Sequence, residues 1–128
     1  MKSNVAILAV VEEVSIDQRR IAEIVGELGQ SAAHTLMQSA LEHLALAVRD
    51  LRQAAGQGDL AQVVHHADRL SRLAWQLGLV SLAGVAVDVA RCAEAGDHAS
   101  FAATLARIER VSNRSLLEIW NADLQGDD

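Results

Sequence analysis

No proline interrupts the 128 residues of this chain. Proline is the strongest helix breaker, because it removes a backbone donor and its ring clashes with the preceding turn. The chain is 51% apolar and draws that content from Ala, Leu and Val, so little in it stops long helices. The punctuation that remains comes from glycine. Gly56-Gln57-Gly58-Asp59 reads as a turn between periodic segments. Gly96-Asp97 reads as another, with Asp97 placed to cap the helix after it. A softer boundary runs from Gly78 to Ser81. These breaks predict helices over about Ser31–Ala55, Leu60–Leu77, Ser81–Ala95 and His98–Asn121. Helices of similar length joined by short loops run antiparallel to their neighbours. The expected fold is therefore all-α: an antiparallel up-down-up-down four-helix bundle with additional N-terminal helical segments.

Those segments fall over roughly Asn4–Val14 and Asp17–Leu28, broken near Ser15; Gly29 either stops the second or lets it run on. A chain of this size suits one domain with its own core. It divides into N-terminal helices over 1–30, a bundle over 31–121 and a flexible tail over 122–128. The spacing of apolar residues supports the bundle. Met37, Leu41, Leu44, Val48, Leu51 and Ala55 step by four and three, which draws one stripe along a helix. Leu82, Val85, Val89 and Cys92 repeat the pattern, as do Phe101, Leu105, Ile108, Ser112, Ser115 and Ile119.

Composition removes several functions. Eleven basic against seventeen acidic residues leave a net charge of -6, the opposite of the clustered positive charge that nucleic acid requires. The aromatic residues, Trp75, Phe101 and Trp120, are too few for a base-stacking platform. The apolar run Val5–Val11 follows Lys2 but is short and closes on Glu12 and Glu13, with no small-residue cleavage site behind it. It predicts an amphipathic or core helix, not an export signal or a membrane span. Cys92 stands alone, so it forms no internal disulfide and fits a reducing cytoplasm. Its place in an apolar stripe predicts a buried, inert thiol. No Glu has a His three residues later, as the ligand pairs of di-iron bundles do. His65 with Asp68 offers too few ligands for a metal site. P-loop, dinucleotide-binding and Ser-His-Asp signatures are absent. Neither a metal nor a cofactor is expected.

The segment 64–78, VHHADRLSRLAWQLG, concentrates the chemistry. At about 100° per residue, Val63, Ala67, Leu70, Ala74 and Leu77 share one face. His65, Asp68, Arg72 and Gln76 fall opposite, with Arg69 beside them. His65 points roughly 150° away from the core direction and His66 only about 50–60° from it. His66 is therefore expected to be partly buried beside Leu73, and His65 to project into solvent. Asp68 stands at i+3 from His65 and Arg69 at i+4, one turn away. Taken alone, this is also the pattern of a solvated helix face on which the two histidines do no chemistry. His34, His43 and His98 stand isolated and receive no role.

The same segment resembles the phosphoacceptor helix of histidine phosphotransfer (HPt) domains. That helix carries a His, a Leu two residues on, a Lys and a Gly, two small residues and a Leu-Gly pair. Leu70, Ala74, Leu77 and Gly78 occupy the matching places. The register then puts Asp68 at the phosphoacceptor position, Ser71 in place of the Lys and Arg72 in place of the Gly. The resemblance extends over Leu36–Asp59 ahead of the motif and over the helix behind it, through Leu82, Val89 and Cys92.

The resemblance implies a two-component phosphorelay protein; a chain of this size completes one core of its own, so a monomer is expected in preference to a homodimer. Its implied partners are a response-regulator receiver domain and a hybrid histidine kinase, and it has no independent catalytic turnover. Two readings follow. In one, His65, or second to it His66, is a displaced phosphoacceptor. Its neutral ring nitrogen acts as nucleophile, Asp68 orients the ring, and Arg69 or Arg72 meets the phosphoryl charge. In the other, the chain keeps the docking face of Asp68, Arg69, Arg72 and Gln76 and is a phosphotransfer-deficient adaptor. Asp68 is no direct substitute for the histidine, because acyl phosphates on receiver aspartates form with Mg²⁺ and further carboxylates. Outside phosphorelay, the chain is a structural or self-associating helical module. Val5–Val11 then packs across a dimer axis or covers the end of its own bundle.

Overall fold

The structure, a computed structural model, describes residues 14–125. Five helices account for nearly all of them: α1 over Gln18–Leu28, α2 over Gln30–Gly56, α3 over Leu60–Gln76, α4 over Val80–Ala95 and α5 over His98–Gln125. Helix α2 packs on α3, α3 on α4, and α4 on α5, and α5 closes against α2. With short turns between them, these four form the expected up-down-up-down bundle. Helix α1 leans on α2 from outside the ring. The helix expected over Asn4–Val14 lies outside the described residues except for Val14, which is not helical.

Each helix end has a local cause. The Asp17 side chain accepts from the Arg19 and Arg20 backbone N–H groups and starts α1. Asp59 does the same for α3, accepting from Gln62 at 3.2 Å, and Asp97 for α5, accepting from Ser100 at 3.1 Å. Gly29, at φ 83°, separates α1 from α2, which settles the choice the sequence left open. Helix α4 ends at Gly96 in the left-handed region, where Asp97 N–H reaches Cys92 O at 3.2 Å and Gly96 N–H reaches Ala93 O at 3.3 Å. This paired arrangement satisfies carbonyls that the helix leaves unpaired. Helix α5 continues to Gln125 where Asn121 was the expected end, and no breaker stands before Gly126.

The apolar stripes meet in one core. Val63, Ala67, Leu70 and Ala74 on the inner face of α3 are buried, and so is Leu77 just beyond its end. Leu44, Leu51, Leu82, Val89 and Ile108 are sealed completely. Phe101 and Leu105, at the start of α5, pack against the core only partly buried. Cys92 is half-buried, less enclosed than its stripe predicted. Ala47, Ala67, Ala74, Ala86 and Ala90 line contacts where longer side chains would hold the helices apart.

The turn between α3 and α4 also holds the short segment that leads into α1. Asp17 N–H donates to Gly78 O at 2.7 Å, and Ile16 forms an isolated antiparallel bridge with Leu79. Gly78 sits at φ 80°, and a Cβ there would lie 2.9 Å from Asp17 O and 3.1 Å from Arg20 Cβ. Gly78→Ala should therefore cost about 1–2 kcal/mol from the left-handed backbone, with the backbone clash added to it. Gly84→Ala, in mid-helix with nothing within 4 Å of its Cβ, should stabilise by about 0.5–1 kcal/mol. Urea unfolding of the two variants checks both signs. A second expectation concerns acid. The Ser100 backbone N–H, and after it the Ser100 hydroxyl, hold the exposed Asp97 carboxyl below its ordinary range. A lowered folded pKa means stability that is present above the ordinary carboxylate range and lost as pH falls through the folded value. Melting midpoints measured against pH should place Asp97→Ala below the parent at neutral pH, with the gap closing in acid.

Candidate functional site

The motif helix offers solvent a polar face because its inner face is committed to the core. His65, Asp68, Arg72 and Gln76 are all exposed on it. Arg69 is half-buried, so part of its stem lies along neighbouring side chains. His66 is half-buried as well, and its Nδ1 is shut off from solvent with no hydrogen-bond partner among the described residues. The two imidazoles meet edge to face, with ring centroids 5.2 Å apart and planes at 65°. The helical wheel thus separates the two histidines as they sit in the bundle: His65 faces the solvent and His66 turns toward the protein.

Ser71, next to Arg72, behaves differently from a surface group. Ser71 is half-buried and its hydroxyl donates to Ala83 O of α4 at 3.2 Å. It is spent on holding α3 to α4, and no cation projects from that position. Among the described residues, no hydrogen bond or ion pair joins His65, Asp68, Arg69 and Arg72. The face is a set of neighbouring groups, not a preorganised network. It offers an exposed imidazole, an exposed carboxylate and a guanidinium to whatever docks there. Among the described residues, no three of His, Cys, Asp and Glu gather as a metal-binding group, and no helix is long and apolar enough to cross a membrane.

The lower end of the face is fixed from outside the helix. Arg20 of α1 donates through Nε to Gln76 O at 2.8 Å, which satisfies a carbonyl at the α3 C-terminus. Beside it Trp75 stands 66% exposed, the most exposed of the large apolar residues among the described ones. It lies three residues beyond Arg72 and next to Val80, which is also exposed. Sequence reasoning placed Trp75 among the scarce aromatics and gave it no role. The signal was present: Trp75 falls outside the apolar stripe of its own helix.

No protein-family model matches the chain, and no curated protein matches it. A solved structure does resemble it. The crystal structure of histidine-containing phosphotransfer protein B (HptB) from Pseudomonas aeruginosa PAO1 superposes with a TM-score of 0.78 at 20% sequence identity, covering 87% of this chain and 96% of that one. At that identity the likeness is one of fold: the chain has the helical-bundle fold of a histidine phosphotransfer protein.

Proposed function

We propose that the chain is an HPt-like protein of two-component signalling that docks on response-regulator receiver domains as a phosphotransfer-deficient adaptor. The outward face of α3 is the docking surface, with Asp68, Arg69, Arg72 and Gln76 as its polar contacts and Trp75 as its apolar anchor. The observation that carries this reading is that Asp68 lies exposed while Ser71 is tied to α4. In the register that Leu70, Ala74, Leu77 and Gly78 suggest, these two stand in for the motif's imidazole and lysine. A carboxylate has no ring nitrogen to accept a phosphoryl group, and its charge opposes the arriving phosphate. The residues that shape a bundle remain while the residues of the transfer step are replaced. Exposed aromatic and arginine side chains on one face are the groups from which interface hot spots are most often built.

A second reading rests on one specific observation: His65 is exposed on the same face, with Asp68 and Arg69 within one turn. In it, His65 accepts phosphate from a receiver aspartate, one turn upstream of the motif position.

Incubation with a small phosphoramidate donor, followed by intact-mass measurement, separates the two. The adaptor reading expects no added phosphoryl group. An acid-labile, base-stable adduct lost in His65→Gln and retained in His66→Gln would install the second reading. Titration against purified receiver domains tests docking itself. Trp75→Ala and Arg72→Glu are each expected to weaken binding by about tenfold or more, about 1.4 kcal/mol. Binding that ignores both variants would sink the docking face, and a chain that binds only itself would leave the self-associating module.

A further inference from the structure

The buried polar side chains in the described part of the bundle belong to one helix. Ser112 and Ser115 are the buried polar residues among those described, and both lie on α5. The Ser115 side chain is sealed completely, and its hydroxyl has no hydrogen-bond partner among the described residues. A hydroxyl taken out of water without a partner opposes the packing that buries it. The two serines share a stripe with the buried Ile108 and Ile119. Two of the positions that hold α5 to the core therefore contribute little apolar area. The buried positions of α2, α3 and α4 are all apolar.

The first turns of α5 add little grip. No residue over 98–107 is buried, and Phe101, Thr104 and Leu105 are half-buried. The Thr104 hydroxyl turns back on its own helix, donating to Ser100 O at 2.9 Å and to Phe101 O at 3.0 Å. The Arg52–Glu109 ion pair joins α2 to α5 at 3.1 Å, but both side chains stand largely in solvent, where such a pair contributes little. The packing of α2 on α3 and of α3 on α4 does not involve α5. Helix α1 rests on α2 and on the turn after α3. The Gly96-Asp97 turn joins α5 to α4.

We infer that α5 is a detachable element: it opens from a body of α1–α4 that stays folded, and the unpartnered Ser115 hydroxyl lowers the cost of that opening. In the open state water supplies the hydrogen bonds that the hydroxyl lacks in the closed one. The burial given up on α5 is that of Ile108, Val111 and Ile119, while α3 keeps both of its neighbours. Elements with few buried apolar side chains are the ones that open below the global unfolding limit. The opening uncovers the apolar faces of α2 and α4 against which α5 packs. No residue of the docking face takes part in it, so the opening is independent of the signalling reading.

Native-state hydrogen exchange of the ¹⁵N-labelled full chain provides the test. Amides over 108–119 are expected to exchange about tenfold or more faster than those of Leu70 and Ala74 in α3. Ser115→Ala removes the hydroxyl and keeps the rest of the side chain. It should slow exchange over 108–119 by about tenfold. Val63→Ala separates local opening from global unfolding, because α3 stands across the bundle from α5. It should speed exchange in α3 by about tenfold or more and leave the amides over 108–119 unchanged. Equal protection of α3 and α5, or Val63→Ala speeding both alike, would mean that α5 opens only with the whole bundle, and the inference would fall. It would fall as well if Ser115→Ala left exchange over 108–119 unchanged or made it faster, because the hydroxyl would then not oppose the closed packing.

Discussion

The turn at Leu77-Gly78-Leu79 is the constraint on which the rest of the bundle depends. Three parts of the chain meet there: the end of α3, the start of α4 and the segment leading into α1. Gly78 reverses the chain with a positive φ and leaves no room for a side chain against Asp17 and Arg20. That close approach lets Asp17 N–H bond Gly78 O and brings Arg20 Nε to Gln76 O. Helix α1 is thereby tied to the end of α3 and supplies a partner for the Gln76 carbonyl. Leu77 and Leu79, on either side of the glycine, are both buried. They fix the angle at which α3 and α4 leave the turn, and so which face of α3 is left to solvent.

That face is the part of the helix that packing leaves unspecified. Burial and packing act on the inner side of α3, where every apolar position of the pattern is filled. The outer side feels no such constraint, because exposed polar groups contribute little to stability. Substitution there alters chemistry without disturbing the fold. Asp68, Ser71 and Arg72 illustrate it: the first and last lie exposed and the middle one is a contact between helices. The packing of the helix and the chemistry of its outer face are thus separable.

Much of the arrangement was legible beforehand, for identifiable reasons. Gly56, Gly58 and Gly96 interrupt helices in a chain without proline, and Asp59 and Asp97 cap the helices that follow, so the helix ends were readable to within a few residues. The α3 wheel separated His65 from His66 because a helix rotates by a known angle per residue. Less was legible where long-range contacts decide. Cys92 sits in an apolar stripe and is still half-buried, and Phe101 and Leu105 pack only partly on the core. Trp75 passed as one scarce aromatic among three until its exposure set it on the outward face.

The amino-acid sequence by itself determined the helices, their order and the stripe each one buries, because these follow from local backbone preference and from the period of the apolar residues. It also determined that Asp68 shares a helix face with His65 and Arg72. Only the tertiary structure decided what borders that face. The Ser71 hydroxyl turned to Ala83, Arg20 brought to Gln76 and the segment at Ser15 paired with Ser81 all join residues distant in the chain or on different helices. Contacts of this kind depend on how rigid helices pack against one another, and helical periodicity fixes only the side of each helix that takes part.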